Sequence, residues 1–503
     1  MTRPITLRNL TAQPLTVKLV ERYEAPNPKD FPPNGGFSVS NISNISSLTS
    51  NFTSLLGKST EPSHAELHDK AESFKRQEVD VRLEPFTTKR TNIKLSERGP
   101  NEILRLTFQG DGGGRWRIDT PTPSSASQTL TPLEPDPKHE YTGIYISSSS
   151  FLAILESKGL RTWMKALKDD TPLSALSIPG THNSPTFHTA LPSVRCQAVS
   201  PLEQLQNGIR FFDIRVQPTN PSDPTDDRLA LVHGVFPISL TGPKYFRNLV
   251  ETTQQFLQTN PSETVIMSLK REGPGTATDA QLAHILKTHY TSSSNEGAAA
   301  PRWYTDSRIP CLGEVRGKII LLRRFRLDEK LKKDHKGRGW CLNAENWAYN
   351  TPNCSHGAVC VQDFCEVLET ENIEEKIRYC CEHFERAGSA VYAVPGNTDN
   401  PVPPPGPLYL NFLSASNFWK VGCWPDKIAA KLNPAVVAFL CERHDAEMDG
   451  SGPKRDGGKF EGNGGVGIVV CDWVGKGGDW DLVRCVVSIN SSLLLKTKGK
   501  GWR

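Results

Sequence analysis

Leu176-Ser177-Ile178-Pro179-Gly180-Thr181-His182-Asn183-Ser184 sets a histidine directly after a short apolar run. The same arrangement returns twice, in Gly208-Ile209-Arg210-Phe211-Phe212-Asp213-Ile214-Arg215 and in Leu231-Val232-His233-Gly234. An apolar run that ends on a chemically capable residue is the pattern of a strand delivering that residue at its C-terminal end. Two imidazoles, a carboxylate and a guanidinium delivered in this way can take a proton, give one and hold developing negative charge.

Working outward from these stretches, strands alternate with helices from about residue 160. Strands are expected at 173–178, 209–214, 228–232, 264–269, 318–322, 358–361, 408–412 and 466–470, and helices at 201–207, 244–258 and 372–387. So many βα units predict an α/β fold, a parallel barrel of the TIM type over 160–495. Polar insertions at 273–300, 326–340, 394–407 and 444–465 are expected on its rim. Residues 1–150 differ: short alternating runs such as Leu15-Thr-Val-Lys-Leu-Val and Glu102-Ile-Leu-Arg-Leu-Thr-Phe predict a small antiparallel β-sandwich with an accessory role. A Ser-, Asn- and Pro-rich stretch at about 25–70 interrupts it and is expected to be a disordered insertion.

The chain has 503 residues, 37% of them hydrophobic and 23% charged, which suits two or three globular domains. A net charge of +4 argues against a dedicated nucleic-acid binder, which concentrates basic residues on one face. No apolar run is long enough to span a bilayer, and the N-terminus lacks the apolar core of a secretory signal. The expected placement is cytoplasmic, with peripheral contact to membranes, as a monomer. In that setting the 12 cysteines are expected to be free thiols. No CxxC pair points to a structural zinc site.

Between about 160 and 495 the chain resembles the phosphatidylinositol-specific phospholipase C X-domain family in its bacterial-like form. The resemblance rests on Ser177-Ile-Pro-Gly-Thr-His-Asn-Ser, Gly208-Ile-Arg-Phe-Phe-Asp-Ile-Arg and Leu231-Val-His-Gly. Later segments that carry it are Asn260-Pro-Ser-Glu-Thr-Val-Ile-Met-Ser-Leu-Lys-Arg-Glu, Gly317-Lys-Ile-Ile-Leu-Leu-Arg-Arg-Phe, Val361-Gln-Asp, Tyr409-Leu-Asn-Phe, Asn433-Pro and Val469-Val-Cys-Asp-Trp. Each is weak alone; their shared order is what makes the match. It implies a distorted TIM-type barrel that cleaves a glycerophosphoinositol bond.

By this resemblance His182 is the general base that takes the proton of the inositol 2-hydroxyl, and His233 the general acid that protonates the departing diacylglycerol oxygen. Imidazole suits both tasks near pH 7. Arg215 would stabilise the phosphorane charge, and its place matches a carboxylate ligand in the calcium-dependent relatives, so no metal and no other cofactor is expected. Asp472 would orient His182, and Asp213 would support His233 or the arginine. Asn183, Lys270, Glu272, Arg324 and Asp363 match positions that contact the headgroup. Two departures bear on specificity. Asn183 stands where bacterial members have aspartate, and Cys365 stands where they present a tyrosine to the inositol ring. Phe418, Trp419 and Trp424 are expected to touch the membrane, with packing against the N-terminal region as the alternative. The leading expectation is a phosphatidylinositol phosphodiesterase. Alternatives are the same reaction on another headgroup, or a silent lipid- or inositide-binding module.

Overall fold

The computed structural model describes residues 3–25, 67, 71–99, 101–121, 127–223, 225–292, 302–394, 406–443, 447–448 and 464–496. Most of the insertion expected at about 25–70 lies outside them, as do parts of the rim insertions. The chain divides into two compact units, one mainly of residues up to Ala153 and one mainly of Ile154 onward.

The N-terminal unit is built from two sheets. One is antiparallel, ordered Lys75–Leu83, Leu15–Glu24, Glu102–Gly110, Arg115–Thr120 and Thr131–Pro132. The other carries Thr87–Lys94, Pro4–Asn9, Phe151–Glu156, Tyr141–Ile146 and Ser127–Thr129 in that order. Trp116 of the first meets Tyr141 of the second edge to face, with ring centroids 4.8 Å apart.

The larger unit is a curled, mostly parallel sheet flanked by helices. Its principal strands are β1 (Ile178–Thr181), β2 (Phe211–Pro218), β3 (Leu229–His233), β4 (Val265–Arg271), β5 (Ile319–Arg324), β6 (Val359–Asp363), β7 (Leu408–Phe412) and β8 (Ile468–Cys471); Trp303–Tyr304 and Leu342–Asn343 add to β5, Thr351–His356 to β6 and Phe236–Pro237 to β3. The parallel order is β5-β4-β2-β1-β8-β7-β6. No ladder joins β5 to β6 among the described residues. The sheet curls like a barrel and stays open at that seam, where Ala358 donates one backbone hydrogen bond of 2.8 Å to Asn343. The distorted TIM-type barrel expected from the sequence is met in its curl and corrected at this seam, where the sheet stays open as a half-barrel.

A second correction concerns β3. It was expected as a barrel strand, yet it runs antiparallel to β2, with Val216 opposite Leu231 and Gln217 opposite Ala230. The connection at 219–228, rich in Asp, Pro and Thr, is too short for a crossover and makes a hairpin instead. The first strand also starts later than expected, because Leu173–Ala175 forms a 3-10 turn.

Strand period decides what faces inward. Ile178, Phe211, Ile266, Ile320, Leu322, Val361, Leu410, Ile468 and Val470 all belong to one buried apolar cluster. Two residues further along their strands stand Asp213 after Phe211, Ser268 after Ile266, Arg324 after Leu322, Asp363 after Val361 and Asp472 after Val470. The interior is therefore apolar below and polar at the C-terminal end. Gly180 lets β1 approach β2 closely: a Cβ there would lie 2.8 Å from that of Phe211. Outside the sheet lie helices α1 (Pro201–Gln206), α2 (Phe246–Thr259), α3 (Asn372–Gly388), α4 (Pro425–Glu442) and α5 (Asp481–Ile489).

Candidate active site

Register brings the polar residues together. Thr181 pairs with Cys471 on one side and with Phe212 on the other. The next residue, His182, thus emerges between Asp472 and Asp213. Arg215 pairs with Lys270, and Lys270 with Arg324, so three cations line up across β2, β4 and β5. Three contiguous cations repel unless carboxylates separate them, and the carboxylates are present. Lys270 Nζ donates to Glu272 Oε1 at 2.6 Å, Arg215 Nη1 donates to both Glu272 oxygens at 3.2 Å, and Arg324 Nη1 donates to Asp213 Oδ1 at 3.0 Å. Burial raises the carboxyls of Asp213 and Glu272, but the neighbouring cations outweigh it and hold both below the usual carboxylate range. Asp213 is wholly buried and serves the two arginines rather than His233.

His182 Nδ1 lies 2.9 Å from Asp472 Oδ1, while its Nε2 lies 2.9 Å from Arg215 Nη2 and 3.2 Å from Asn183 Nδ2. Arginine and amide nitrogens only donate, so Nε2 must accept. A neutral ring with its proton on Nδ1 satisfies every contact. Burial lowers the basicity of His182, and Asp472 with the neighbouring Cys196 more than reverses this, lifting its pKa to about 10; Arg215 against Nε2 opposes the added proton. Burial raises the Asp472 carboxyl, with His182 pulling the other way.

The ring of His233 stands perpendicular to that of His182, centroids 6.0 Å apart. Its Nδ1 donates to the Val194 carbonyl at 2.9 Å, leaving Nε2 as the nitrogen available to a ligand. Gly234 N donates to Glu272 Oε2 at 3.0 Å, tying the His233 hairpin to β4. Arg324 lies over the ring of Trp347, 3.8 Å from its centroid, and Trp347 Nε1 donates to Asp363 Oδ2 at 3.0 Å.

One family model, phosphatidylinositol-specific phospholipase C, X domain, matches residues 170–325. The 1-phosphatidylinositol phosphodiesterase of Listeria monocytogenes is 34% identical over 313 residues, 59% of this chain and 81% of that protein. The chain belongs to the phosphatidylinositol-specific phospholipase C X-domain family. The Staphylococcus aureus enzyme of the same name is 27% identical over 197 residues, covering 37% of this chain and 59% of that one. Among solved structures, a double mutant of the S. aureus phosphatidylinositol-specific phospholipase C has a TM-score of 0.49 and 21% identity, covering 66% of this chain and 97% of its own.

The membership places the chain in an enzyme family, and its site carries features that the sequence motifs did not signal. Gln197 Nε2 donates to the backbone carbonyls of His182 at 2.6 Å and Cys471 at 3.0 Å, clamping β1 to β8 at their ends. Cys196 lies beside both histidines, with Sγ 3.9 Å from His233 Nδ1. Burial and Asp472 push its thiol up, and His233 and His182 outweigh them, bringing it to about 7. Cys365, in contrast, is raised to about 11, chiefly by burial. Trp347 is the aromatic ring that meets Arg324 and Asp363. Around this end of the sheet Trp419 is 88% exposed, and Phe418 stacks on Phe236 at 5.5 Å. Trp424 is half-buried and braces that loop through a 3.2 Å bond to the Phe418 carbonyl. Among the described residues, no helix is long and apolar enough to cross a membrane.

Proposed function

We propose that this protein cleaves phosphatidylinositol into diacylglycerol and a cyclic inositol phosphate. The observation that carries the reading is the pair of perpendicular imidazoles, 6.0 Å between centroids, with Arg215 Nη2 held 2.9 Å from one of them. His182 Nε2 takes the proton of the inositol 2-hydroxyl, whose oxygen attacks the adjacent phosphorus. His233, whose Nδ1–H is held by the Val194 carbonyl, turns Nε2 to the substrate and gives from it the proton that the departing glycerol oxygen takes. Arg215 compensates charge on the phosphoryl oxygens. Asp472 fixes the tautomer of His182 and steadies its imidazolium, and Asp213 sets the two arginines. Arg215 makes the reaction independent of calcium, since its guanidinium repels a cation at the same place.

Lys270, Glu272, Arg324, Asp363 and Asn183 form the headgroup end. The enzyme works peripherally at a membrane surface through Phe418 and Trp419, with Trp424 bracing their loop from within. The N-terminal sheets serve as an accessory β-sandwich. Cys365 and Asn183 favour a second reading with the same reaction on a different headgroup, because the ring that bacterial members present to inositol is absent at Cys365. Turnover on vesicles of different headgroups, with and without chelator, tests both readings. Cleavage of phosphatidylinositol that survives chelation is expected. Loss of activity in chelator refutes the metal-free mechanism, a preference for another headgroup selects the second reading, and binding without any turnover leaves a silent module.

A further inference from the structure

We propose that His182, Cys196 and Asp472 form an inhibitory site for a thiophilic divalent cation, with zinc as the representative. The inference rests on the proposed role of His182 as base. Imidazole nitrogen, thiol sulfur and carboxylate oxygen of these residues lie within 4.8 Å of one another, and among the described residues no other three His, Cys, Asp or Glu groups meet in this way. Nitrogen, sulfur and oxygen together are the donor set that zinc prefers.

A second observation points to the same place. Asp472 is 3% exposed, and its Oδ2 makes no hydrogen bond although Oδ1 is held by His182. A buried carboxylate oxygen without a donor is costly, and a cation would satisfy it. The Cys196 backbone is pinned on both sides: its N–H donates to Thr186 Oγ1 at 3.1 Å and its carbonyl accepts from Trp473 N at 2.9 Å. The side chain turns into the site, its Sγ 3.9 Å from Asn183 Nδ2 and from His233 Nδ1.

The proposed reaction uses a base, an acid and a guanidinium; a thiol has no part in it. A neutral imidazole has one lone pair. Whether the ion takes Nδ1 from Asp472 or Nε2 from Arg215, that lone pair is no longer available to the substrate hydroxyl, so occupancy stops turnover. Two anionic ligands, the thiolate and the carboxylate, neutralise the divalent ion, and the nearby Arg215 is already paired with Glu272 and Asp213. Binding releases the Cys196 proton.

The test uses the full chain. Titration with Co2+ is expected to give a thiolate-to-cobalt charge-transfer absorption in wild type that is missing in Cys196→Ala and in Cys196→Ser. Zinc is expected to inhibit cleavage of phosphatidylinositol vesicles by wild type reversibly on chelation. Both variants, active in chelator, are expected to need at least about tenfold more zinc, since even changes around a metal's ligands cost about 10–100-fold in affinity. Identical cobalt spectra in wild type and variants, or equal zinc sensitivity, overturns the site. If chelated wild type does not turn over phosphatidylinositol, the proposed function falls, while the cobalt absorption still decides the metal site.

Discussion

At the scale of single residues, the roles of the two histidines separate by their partners. His182 has a carboxylate behind it and donors in front; His233 has a backbone carbonyl and the Cys196 sulfur behind it, and no carboxylate bonds its ring. Alanine at either position should lower kcat by about 10²–10⁴-fold with circular dichroism unchanged, the usual worth of a positioned acid or base. Asp472→Asn is more diagnostic. The base works only with Nε2 unprotonated, and Asp472 favours the protonated ring. Removing that charge lowers the pKa of His182, so the acidic limb of the kcat/KM profile should move to lower pH. The plateau should fall as well, because an amide no longer enforces the tautomer. A limb that stays in place assigns it to another group.

At the scale of elements, the motif Gly208-Ile-Arg-Phe-Phe-Asp-Ile-Arg contains two arginines of opposite fate. Arg215 reaches the site. Arg210 is fully buried below it, bonded to Glu263 Oε2 at 2.9 Å and to the carbonyls of Leu205 and Ile209, at the start of β2. Arg210→Ala strands the wholly buried Glu263 and should destabilise by about 3–5 kcal/mol, read by denaturant unfolding, a cost far above a surface ion pair. The two positions differ by five residues, so alternation places them on opposite faces, and Arg210 stands before the strand's start while Arg215 lies well along it. The parallel strands β2 and β4–β8 were legible because their apolar runs are bounded by polar residues; β1, expected at 173–178, shares only Ile178 with its observed range. The antiparallel course of β3 was not legible, since a run of five apolar and polar residues has no direction written in it. Helix α4 was not expected from the sequence; it runs through Asn433-Pro434, with Asn433 Nδ2 donating to the Asp472 carbonyl at 2.9 Å. Gln197 and Cys196 come from a loop with no periodic signal, and only folding sets them beside His182.

At the scale of the whole molecule, a net charge of +4 over 503 residues supplies little general attraction to an anionic surface. Membrane contact then has to come from local apolar surface. Val235 at 63%, Leu240 at 66% and Trp419 at 88% exposure are large apolar side chains left to water, and Val235 lies two residues after His233. Moving one large side chain from water to an apolar phase is worth about 1.5–3 kcal/mol, which corresponds to roughly ten- to a hundredfold in affinity. Trp419→Ala should therefore weaken sedimentation with phosphatidylinositol vesicles by about that factor, while hydrolysis of a soluble short-chain substrate below its micelle threshold keeps its kcat. The contrast matters because Trp419 makes no contact with either histidine. If the short-chain rate falls in step with vesicle binding, the loop acts on the site itself and the membrane role is wrong.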